Sequence, residues 1–346
     1  VIIYQLYLYS FLTNFSPIKS HIMKKLFTIL ALTITFSMNA QVSTHSTSNG
    51  GLRSSAIGAW SNAAADYSFA SGRSTTASGY GSTVFGRNST SSGDYSTAMG
   101  YNTNASGVYS TAMGYQSTAS GNYSKAIGYE STASGTRSFA GVLQTVASGG
   151  GSFAFHSGTT ASGTNSTALG RVTVASDYAS VVIGQYNSSG SSATSADSFS
   201  TSAPAFVIGN GADSSNKSDA FKVMFNGDTT VSNDLTVSGD VVISSDARLK
   251  SNIVSLGSTL PKLLQIDGKS YEMKGKQKIG VLAQEIQEVF PELVSEDDNE
   301  MLAVNYQGLV PVLINALKEQ QNEIETYRDE VSELKEMVQK LSLIHI

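Results

Sequence analysis

The chain has 346 residues, a formal net charge of −5 and no cysteine. Disulfides, thiol nucleophiles and cysteine metal sites are therefore excluded, and the four histidines are scattered at His21, His45, His156 and His345. The mild charge and the lack of a basic block give no indication of a nucleic-acid or membrane-surface partner. We predict neither a metal ion nor a small-molecule cofactor.

A secretion signal begins at Met23 rather than at the first residue of the chain. Two lysines follow this methionine, and Leu26–Phe36 is an apolar run too short to span a bilayer. Small residues then offer a cleavage site before Gln41. The pattern predicts a signal peptide over residues 23–40 and therefore a secreted or cell-surface protein, with an N-terminal anchor as the alternative.

The two ends of the chain look foreign to the mature protein. Residues 1–22 are interpreted as mis-translated upstream sequence, because the chain opens with valine and a better start follows at Met23. Residues 341–346 match the translation of a common sequencing adapter and are interpreted as an adapter-derived tail. Residues 41–53, which follow the signal, are interpreted as a linker.

From residue 54 to residue 184 the chain repeats with a period of fourteen. Nearly every residue there is Ser, Thr, Ala, Gly or Tyr, so a single copy buries too little apolar surface to fold alone. One glycine column comprises Gly58, Gly72, Gly86, Gly100, Gly114, Gly128, Gly170 and Gly184, and Val142 and His156 interrupt it. A second column, seven residues out of phase, comprises Gly79, Gly93, Gly107, Gly121, Gly135, Gly149 and Gly163, and Asp177 closes it. Each unit therefore has two similar halves.

Each half-unit shows four or five alternating residues and then a glycine. Because glycine takes positive φ without steric cost, this pattern predicts a short strand and a tight turn, twice per coil. Alternation places Ser96, Ala98 and Gly100 on one face, small enough to fill a narrow roll, and Met99 on the other. Segment 54–184 is therefore predicted to be a β-roll or β-solenoid rod.

Met99 belongs to a column of large apolar residues that share one phase in successive coils. Two interpretations stay open: the column is the core of the solenoid, or it is the surface through which chains associate. Its members, called the apolar column below, are Ile57, Phe85, Met99, Met113, Ile127, Phe155, Leu169 and Ile183.

The repeat units resemble a known type of bacterial surface protein. Ser110–Gly114 and Thr118–Gly121, for example, resemble the head repeats of trimeric autotransporter adhesins. The resemblance implies a left-handed parallel β-roll that is assembled from three chains. The expected fold class is therefore mainly β, in a homotrimer, with an α-helical C-terminus.

The strict period is lost between residues 185 and 244. Strand-like pieces persist there, such as Phe221–Phe225 followed by a turn signal at Asn226–Asp228. This segment is interpreted as a β-neck. At Ser244 the composition changes from Ser/Gly-rich to charged, helix-forming sequence, which predicts a domain boundary.

Three blocks of the C-terminal region occur in an order and at spacings typical of one family. The blocks are Ser245–Ile253, Gly280–Glu292 and Val304–Leu313. They resemble the self-cleaving intramolecular chaperone domain that ends phage tailspikes and many secreted bacterial fibres. The resemblance implies an α+β domain over residues 245–309 that trimerises, guides the folding of the fibre and then cuts the Ser244–Ser245 bond.

The same resemblance assigns chemical roles to two residues of the first block. Ser245 is the expected nucleophile, attacking the preceding carbonyl, and Lys250 is the expected general base, provided that burial keeps its amine neutral. No histidine lies between Ser245 and Lys340, so a Ser-His-Asp arrangement within this domain is excluded. Asp246 and Arg248 match the motif and are expected to have structural or orienting roles. Cleavage would be a single autoproteolytic turnover, without activity on other substrates.

Without the resemblance, the first block would indicate much less chemistry. Ser245 or Asp246 is a plausible N-cap of a short helix, and Lys250 is a plausible solvated charge. On a regular helix a spacing of five separates two side chains by about 140°. A turn or a contact between chains must therefore bring Ser245 and Lys250 together.

From Val310 onward the apolar residues fall into heptads, which predicts a parallel coiled coil over residues 310–340. β-Branched residues in the first column and leucine in the second favour two strands, so three chains are expected from the resemblance only. A lone amphipathic helix packed on its own domain is the alternative. The first column comprises Val310, Leu317, Ile324, Val331 and Val338, and the second comprises Leu313, Gln320, Tyr327 and Leu334.

These features predict a secreted or surface-displayed homotrimeric fibre, structural or adhesive in role, that is matured by one intramolecular cleavage. Its partners would be further copies of itself and an unidentified surface receptor or glycan. A prophage tail fibre that binds a host receptor is one alternative, although a signal peptide argues against it. An ice-binding or surface-binding solenoid is another, disfavoured because the positions beside its threonines are mixed. Those threonines are Thr76, Thr90, Thr118, Thr132 and Thr160.

Overall fold

The computed structural model describes residues 47–297 and 300–344, together with Lys25. The upstream segment 1–22 and, apart from Lys25, the predicted signal peptide 23–40 lie outside the described residues. The chain forms two compact units that divide between Ser238 and Gly239.

The first unit is mostly a β-solenoid in which each coil contributes one long and one short strand. Short strands stack in parallel into a ten-stranded sheet, the short sheet, and long strands form a thirteen-stranded sheet, the long sheet, which becomes antiparallel at its last two pairings. The short sheet comprises β1 (Ser48–Asn49), β3 (Asn62–Ala63), β5 (Thr76–Ala77), β7 (Thr90–Ser91), β9 (Asn104–Ala105), β11 (Thr118–Ala119), β13 (Thr132–Ala133), β15 (Val146–Ala147), β17 (Thr160–Ala161) and β19 (Val174–Ala175). The long sheet comprises β2 (Ser55–Ala59), β4 (Phe69–Arg73), β6 (Thr83–Arg87), β8 (Thr97–Tyr101), β10 (Thr111–Tyr115), β12 (Lys125–Tyr129), β14 (Phe139–Leu143), β16 (Phe153–Ser157), β18 (Thr167–Arg171), β20 (Val181–Gln185), β21 (Pro204–Asn210), β22 (Asp219–Met224) and β23 (Thr229–Val231).

The register of the long sheet follows the period of fourteen. Met99 pairs with Met113, and Ala98 with Ala112, across neighbouring coils. Ser96 and Ala98 are buried inside the roll, whereas Met99 is 36% exposed on its outer face. The predicted β-solenoid is therefore confirmed, and the interpretation of the apolar column as solenoid core is wrong. The interior between the two sheets is narrow, so alanine and small hydroxyl side chains fill most of it.

The second glycine column lies in turns, as expected, and Gly107 accepts from the N–H of Ser110 at 3.1 Å, whereas the first column lies within strands. Gly100 lies within β8 at φ +129°, and a Cβ there would come within 2.0 Å of the carbonyl oxygen of Gly114. In the second column, a Cβ on Gly107 would come as close to the oxygen of Gly121, although Gly107 has no positive φ. Close approach of backbone between coils therefore favours glycine in both columns.

The turn corners themselves are occupied by other residues with positive φ. Tyr109 at φ 56° and Asn102 at φ 54° are two examples. Their backbone N–H groups donate to carbonyl oxygens of the preceding coil, from Tyr109 to Asp94 at 2.8 Å and from Asn102 to Arg87 at 2.9 Å. The hydrogen bonds between coils thus offset the strain of a left-handed conformation at a residue that is not glycine.

Residues 186–203, called the cap, cover the last short strand. The side chain of Asn187 accepts from the N–H of Val174 at 2.8 Å and donates to its carbonyl at 2.9 Å, as a further strand would. One carboxylate oxygen of Asp177 accepts from the N–H groups of Thr194 and Ser195 at 2.6 and 2.7 Å. The short sheet therefore ends on side chains, which leaves no free edge at this end for pairing with another chain.

Replacing Asn187 by alanine is expected to loosen this end of the solenoid. Asn187 is 1% exposed, and its loss removes the partners of the half-buried N–H and carbonyl of Val174, at a local cost of about 2 kcal/mol. Faster amide hydrogen exchange at Val174 would report the loss. The exposed Asn233 provides the matched control, and unchanged exchange in Asn187→Ala would contradict a capping role.

The second unit combines a long helix with two hairpins. Its core contains Ile286, Phe290 and Val312. The predicted α-helical C-terminus is confirmed, and the first turns of the long helix pack against the rest of the second unit. The elements are α1 (Leu260–Leu263), β24 (Lys269–Met273), β25 (Lys276–Gly280), α2 (Ala283–Val289), β26 (Val294–Glu296), β27 (Leu302–Val304) and α3 (Leu309–Ile344), with 3₁₀ turns at Ala247–Leu249, Pro291–Leu293 and Tyr306–Gly308.

Candidate functional site

The candidate cleavage site lies in an extended, exposed segment just before a short turn. Ser244 and Ser245 have no regular secondary structure, and the 3₁₀ turn Ala247–Leu249 follows them. The N–H groups of Leu249 and Lys250 donate to the carbonyls of Asp246 and Ala247, both at 3.1 Å. The chain therefore reverses direction within five residues instead of continuing as a helix.

This turn brings the two candidate catalytic side chains together. The Nζ atom of Lys250 donates to Oγ of Ser245 at 2.7 Å. A spacing of five would separate the two side chains on a regular helix, and the turn alone, without a second chain, brings them into contact. The distance suits proton transfer between a serine nucleophile and a lysine base.

Asp246 and Arg248 form an ion pair across the same turn. One carboxylate oxygen of Asp246 accepts from the backbone N–H of Arg248 at 2.9 Å, and the other accepts from Nη2 at 2.7 Å. The side-chain hydrogen bond from Arg248 is the largest of the causes that hold the pKa of Asp246 below its usual value. Asp246 is therefore ionised, and both of its carboxylate oxygens accept hydrogen bonds from Arg248.

The candidate site is uncovered in the single chain. Ser245 and Lys250 are exposed, as are the apolar residues around them, Ile243, Leu249 and Ile253. No hydrogen bond of the described residues joins the first sequence block, Ser245–Ile253, to the two later blocks. The chain by itself therefore does not exclude water from the site.

The two later blocks pack against each other and form the body of the second unit. Ile286 and Phe290 of α2 contact Val312 of α3 in a common core. The backbone N–H of Val281 also donates to the hydroxyl of Tyr306 at 3.1 Å. These residues are structural, and none of them approaches Ser245 through a hydrogen bond.

Glu319 is a structural residue that the sequence analysis did not identify. Its carboxylate accepts from the N–H of Thr259 at 2.6 Å, from the N–H of Leu260 at 3.2 Å and from the hydroxyl of Ser258 at 2.7 Å. It thereby caps the N-terminus of α1 from a position sixty residues later in the chain. The backbone hydrogen bond from Thr259 is the largest cause that lowers the pKa of Glu319.

The Glu319→Gln variant is expected to be less stable than the parent at neutral pH. A lowered carboxyl pKa adds stability that is complete above the unfolded pKa, about 4.3, and is lost as the pH falls through the folded pKa. The melting temperature of the variant should therefore be lower by a few degrees at pH 7, and the difference should vanish in acid. Glu323→Gln, one turn further along α3, serves as the control, and a difference that persists in strong acid would contradict the capping role.

A second candidate surface is the outer face of the long sheet. Thr97, Met99 and Tyr101 alternate with the buried Ala98 and therefore share this face. Tyr101 stacks on Tyr115 of the next coil, with ring centroids 5.3 Å apart. The apolar column and the stacked tyrosines beside it, such as Tyr101 and Tyr115, thus form one apolar strip on the outer face. A continuous apolar strip of this kind is typical of a protein interface.

The helix α3 presents a third apolar surface. Val312 and Ala316, on one side, are buried against the helix's own domain. The heptad columns lie elsewhere on the helix, and Leu317, Tyr327 and Val338 are all more than 60% exposed. The first turns of α3 therefore pack on their own domain, as the alternative interpretation expected. The heptad face, in contrast, is exposed in the single chain.

The described residues contain no group of three histidine, cysteine, aspartate or glutamate side chains arranged to hold a metal ion. Within the same residues, no helix is both long enough and apolar enough to cross a membrane.

Comparison with protein families finds a match within each of the two units. Residues 245–295 match the model of the chaperone of endosialidase, so the match begins at Ser245 itself. Residues 50–75, 77–103, 105–124, 126–140 and 161–187 match the YadA head domain repeat. Segments similar to YadA head repeats are thus followed, along the chain, by a segment similar to the chaperone of endosialidase. A search of curated proteins found no match.

The head repeats and the chaperone segment together indicate an adhesin-like fibre, exposed at a surface, with a domain that serves assembly. The stretch 141–160 falls between the matched repeats. Val142 and His156 lie in this stretch and replace the first-column glycine with φ near 91° and 92°. The structure nevertheless continues the coil through them, because β14 and β16 keep their pairing.

Proposed function

We propose that the chain is a secreted, surface-displayed trimeric fibre whose C-terminal chaperone assists assembly and then releases itself by cutting the Ser244–Ser245 bond. The observation that carries the proposal is the 2.7 Å hydrogen bond between Lys250 Nζ and Ser245 Oγ, at the first residue of the chaperone match. The match supplies the expectation of assembly, and the turn supplies a serine with a lysine base in contact.

Two exposed apolar surfaces support self-association into the fibre. The apolar strip of the long sheet runs parallel to the solenoid axis, so identical chains placed side by side could bury it along its length. In the second unit, the heptad face of α3 is another exposed apolar surface that identical chains could bury between them. Because both surfaces are apolar, each can pack against the same surface of another chain, which favours further copies of the chain as partners.

The chemistry follows from the position of Ser245 directly after the bond that is cut. A neutral Lys250 amine takes the hydroxyl proton while Oγ attacks the carbonyl carbon of Ser244. The bond from that carbon to the nitrogen of Ser245 then breaks, and the departing amine receives the proton back from Lys250. An ester now joins the two serines, and water hydrolyses it to a carboxylate on Ser244 and a free hydroxyl on Ser245.

Exposure of the site gives assembly a direct role in this reaction. A solvated lysine amine is charged at neutral pH and cannot accept a proton, whereas burial favours the neutral form. Burial of Lys250 beneath neighbouring chains would therefore activate the base only after oligomers have formed. The chaperone would be released from finished fibres and retained by unfinished chains.

The proposal is tested by producing the chain from Gln41 onward and following its size and its oligomeric state over time. Two fragments should appear, one ending at Ser244 and one whose N-terminal residue, determined by sequencing, is Ser245. They should appear only after the oligomer, and dilution to the monomeric state should prevent the cut. Oligomers that stay uncut, or a cut at another bond, would contradict the proposed release.

Secretion rests on the signal pattern of residues 23–40 together with the surface-exposed type of the head repeats. The exported protein should begin at Gln41, which N-terminal sequencing determines. A mature chain that begins upstream of Met23 would contradict both the signal peptide and the interpretation of residues 1–22.

A further inference from the structure

We propose that Asp246 and Arg248 are positioning residues that direct the amine of Lys250 to Ser245, an inference that rests on the proposed self-cleavage. Neither residue touches the bond that is cut. Both would act through Lys250, Asp246 by building the turn and Arg248 by keeping the Asp246 carboxylate away from the lysine.

Asp246 holds the turn that brings Lys250 back to Ser245. Asp246 is its N-cap, with φ −63° and ψ 134°, and its Oδ1 atom accepts from the N–H of Arg248 at 2.9 Å. This contact satisfies an N–H that opens the turn and would otherwise face water. The turn then places Lys250 in an extended conformation from which its side chain returns to Ser245.

The charge of Asp246 also bears on Lys250. Between Ser245 and Ile253 this carboxylate is the one acidic group, and it lies within four residues of Lys250. A free carboxylate there would attract the lysine ammonium, hold it in the charged form and draw it away from the serine. An amine held in that way could not serve as a base.

Arg248 prevents this competition by occupying the carboxylate. Its Nε atom lies 3.0 and 3.2 Å from the two carboxylate oxygens, and Nη2 lies 2.7 Å from Oδ2. The planar guanidinium group thus engages both oxygens at once, a geometry that lysine cannot supply. Lys250 donates to Ser245 instead.

The exposure of the pair argues against a role in stability. The side chain of Arg248 is 88% exposed and that of Asp246 is 44% exposed. Exposed ion pairs contribute little to folding, so substitutions here should leave the fold and the assembly intact. An effect on the rate of cleavage would then report the positioning of Lys250.

The test compares the rate of self-cleavage in assembled full-length variants. Asp246→Ala removes the cap and Arg248→Ala frees the carboxylate, and each should slow the cut by about 10²-fold, because a small displacement of a reacting group is enough for such a loss. Asp240→Ala, an exposed aspartate of the preceding segment, should be cut at the parent rate. The mass of the oligomer should be the same in all of them.

The decisive variant combines Arg248→Ala with Asp246→Asn. The asparagine keeps an oxygen that can accept from the N–H of residue 248 but carries no charge that could hold Lys250. The double variant should therefore be cut faster than Arg248→Ala alone, whereas a purely structural pair predicts a slower cut. A double variant slower than the single one, or Asp246→Ala cut at the parent rate, would overturn the inference. A parent chain that assembles and is never cut would instead refute the proposed cleavage.

Discussion

Replacing Met99 and Met113 by aspartate should yield chains that fold as solenoids but do not associate through the long sheet. Both methionines lie outside the roll, where β8 pairs with β10, so the buried alanine interior is untouched. If the apolar column is the contact surface, each chain would bury two carboxylates against its neighbours. Burying an unpaired charge costs several kcal/mol even after relaxation, which is enough to prevent assembly.

The measurement is the mass of the particle in solution, together with its far-ultraviolet circular dichroism. The variant and its control both carry Leu317→Asp and Leu334→Asp, which block association through the heptad face of α3. The variant should therefore have the mass of one chain and the β-signal of the parent. Ser106→Asp with Ser120→Asp provides the matched control, because it places two charges at the same spacing at exposed positions just after β9 and β11. If the methionine variant assembles like the control, the apolar column faces solvent in the fibre.

The solenoid could be predicted from sequence because its contacts repeat. Every pairing from β1 to β20 joins residues fourteen apart, so one period fixes the register of the short sheet and of the long sheet as far as β20. Alternation then separates the inward Ala98 from the outward Met99. Two strands and two turns per coil were predicted correctly, but positive φ also falls at Tyr109 and Asn102, where hydrogen bonds to the preceding coil stabilise it in residues other than glycine. Such bonds leave no mark on local composition.

The capping residues were missed for a related reason. Glu319 reaches Thr259 across sixty residues, and Asn187 reaches Val174 from within an irregular loop. Neither contact belongs to a repeat or to a heptad, so nothing in the sequence distinguishes these side chains from solvated ones. Ser245 and Lys250 were named through the family resemblance, while the turn that joins them became visible only in three dimensions.

Replacing Ser245 by alanine should abolish the cut and leave a full-length chain that still assembles. The alanine removes the oxygen that attacks the Ser244 carbonyl, and no other nucleophile lies at this position. The surfaces proposed for assembly, on the long sheet and on α3, are untouched. Electrophoresis under denaturing conditions reports the cut, and mass determination reports the oligomer.

The matched control is Ser251→Ala, an exposed serine of the same block that should be cut like the parent. Lys250→Ala should slow the cut by about 10² to 10⁴-fold, the usual contribution of a general base. Hydroxylamine should accelerate chain cleavage in the parent and leave a hydroxamate on Ser244, because it attacks an ester far faster than an amide. Ser245→Ala cannot form that ester and should not respond to hydroxylamine. If Ser245→Ala is cut as fast as the parent, an outside protease cuts the chain and the contact between Ser245 and Lys250 has no catalytic role.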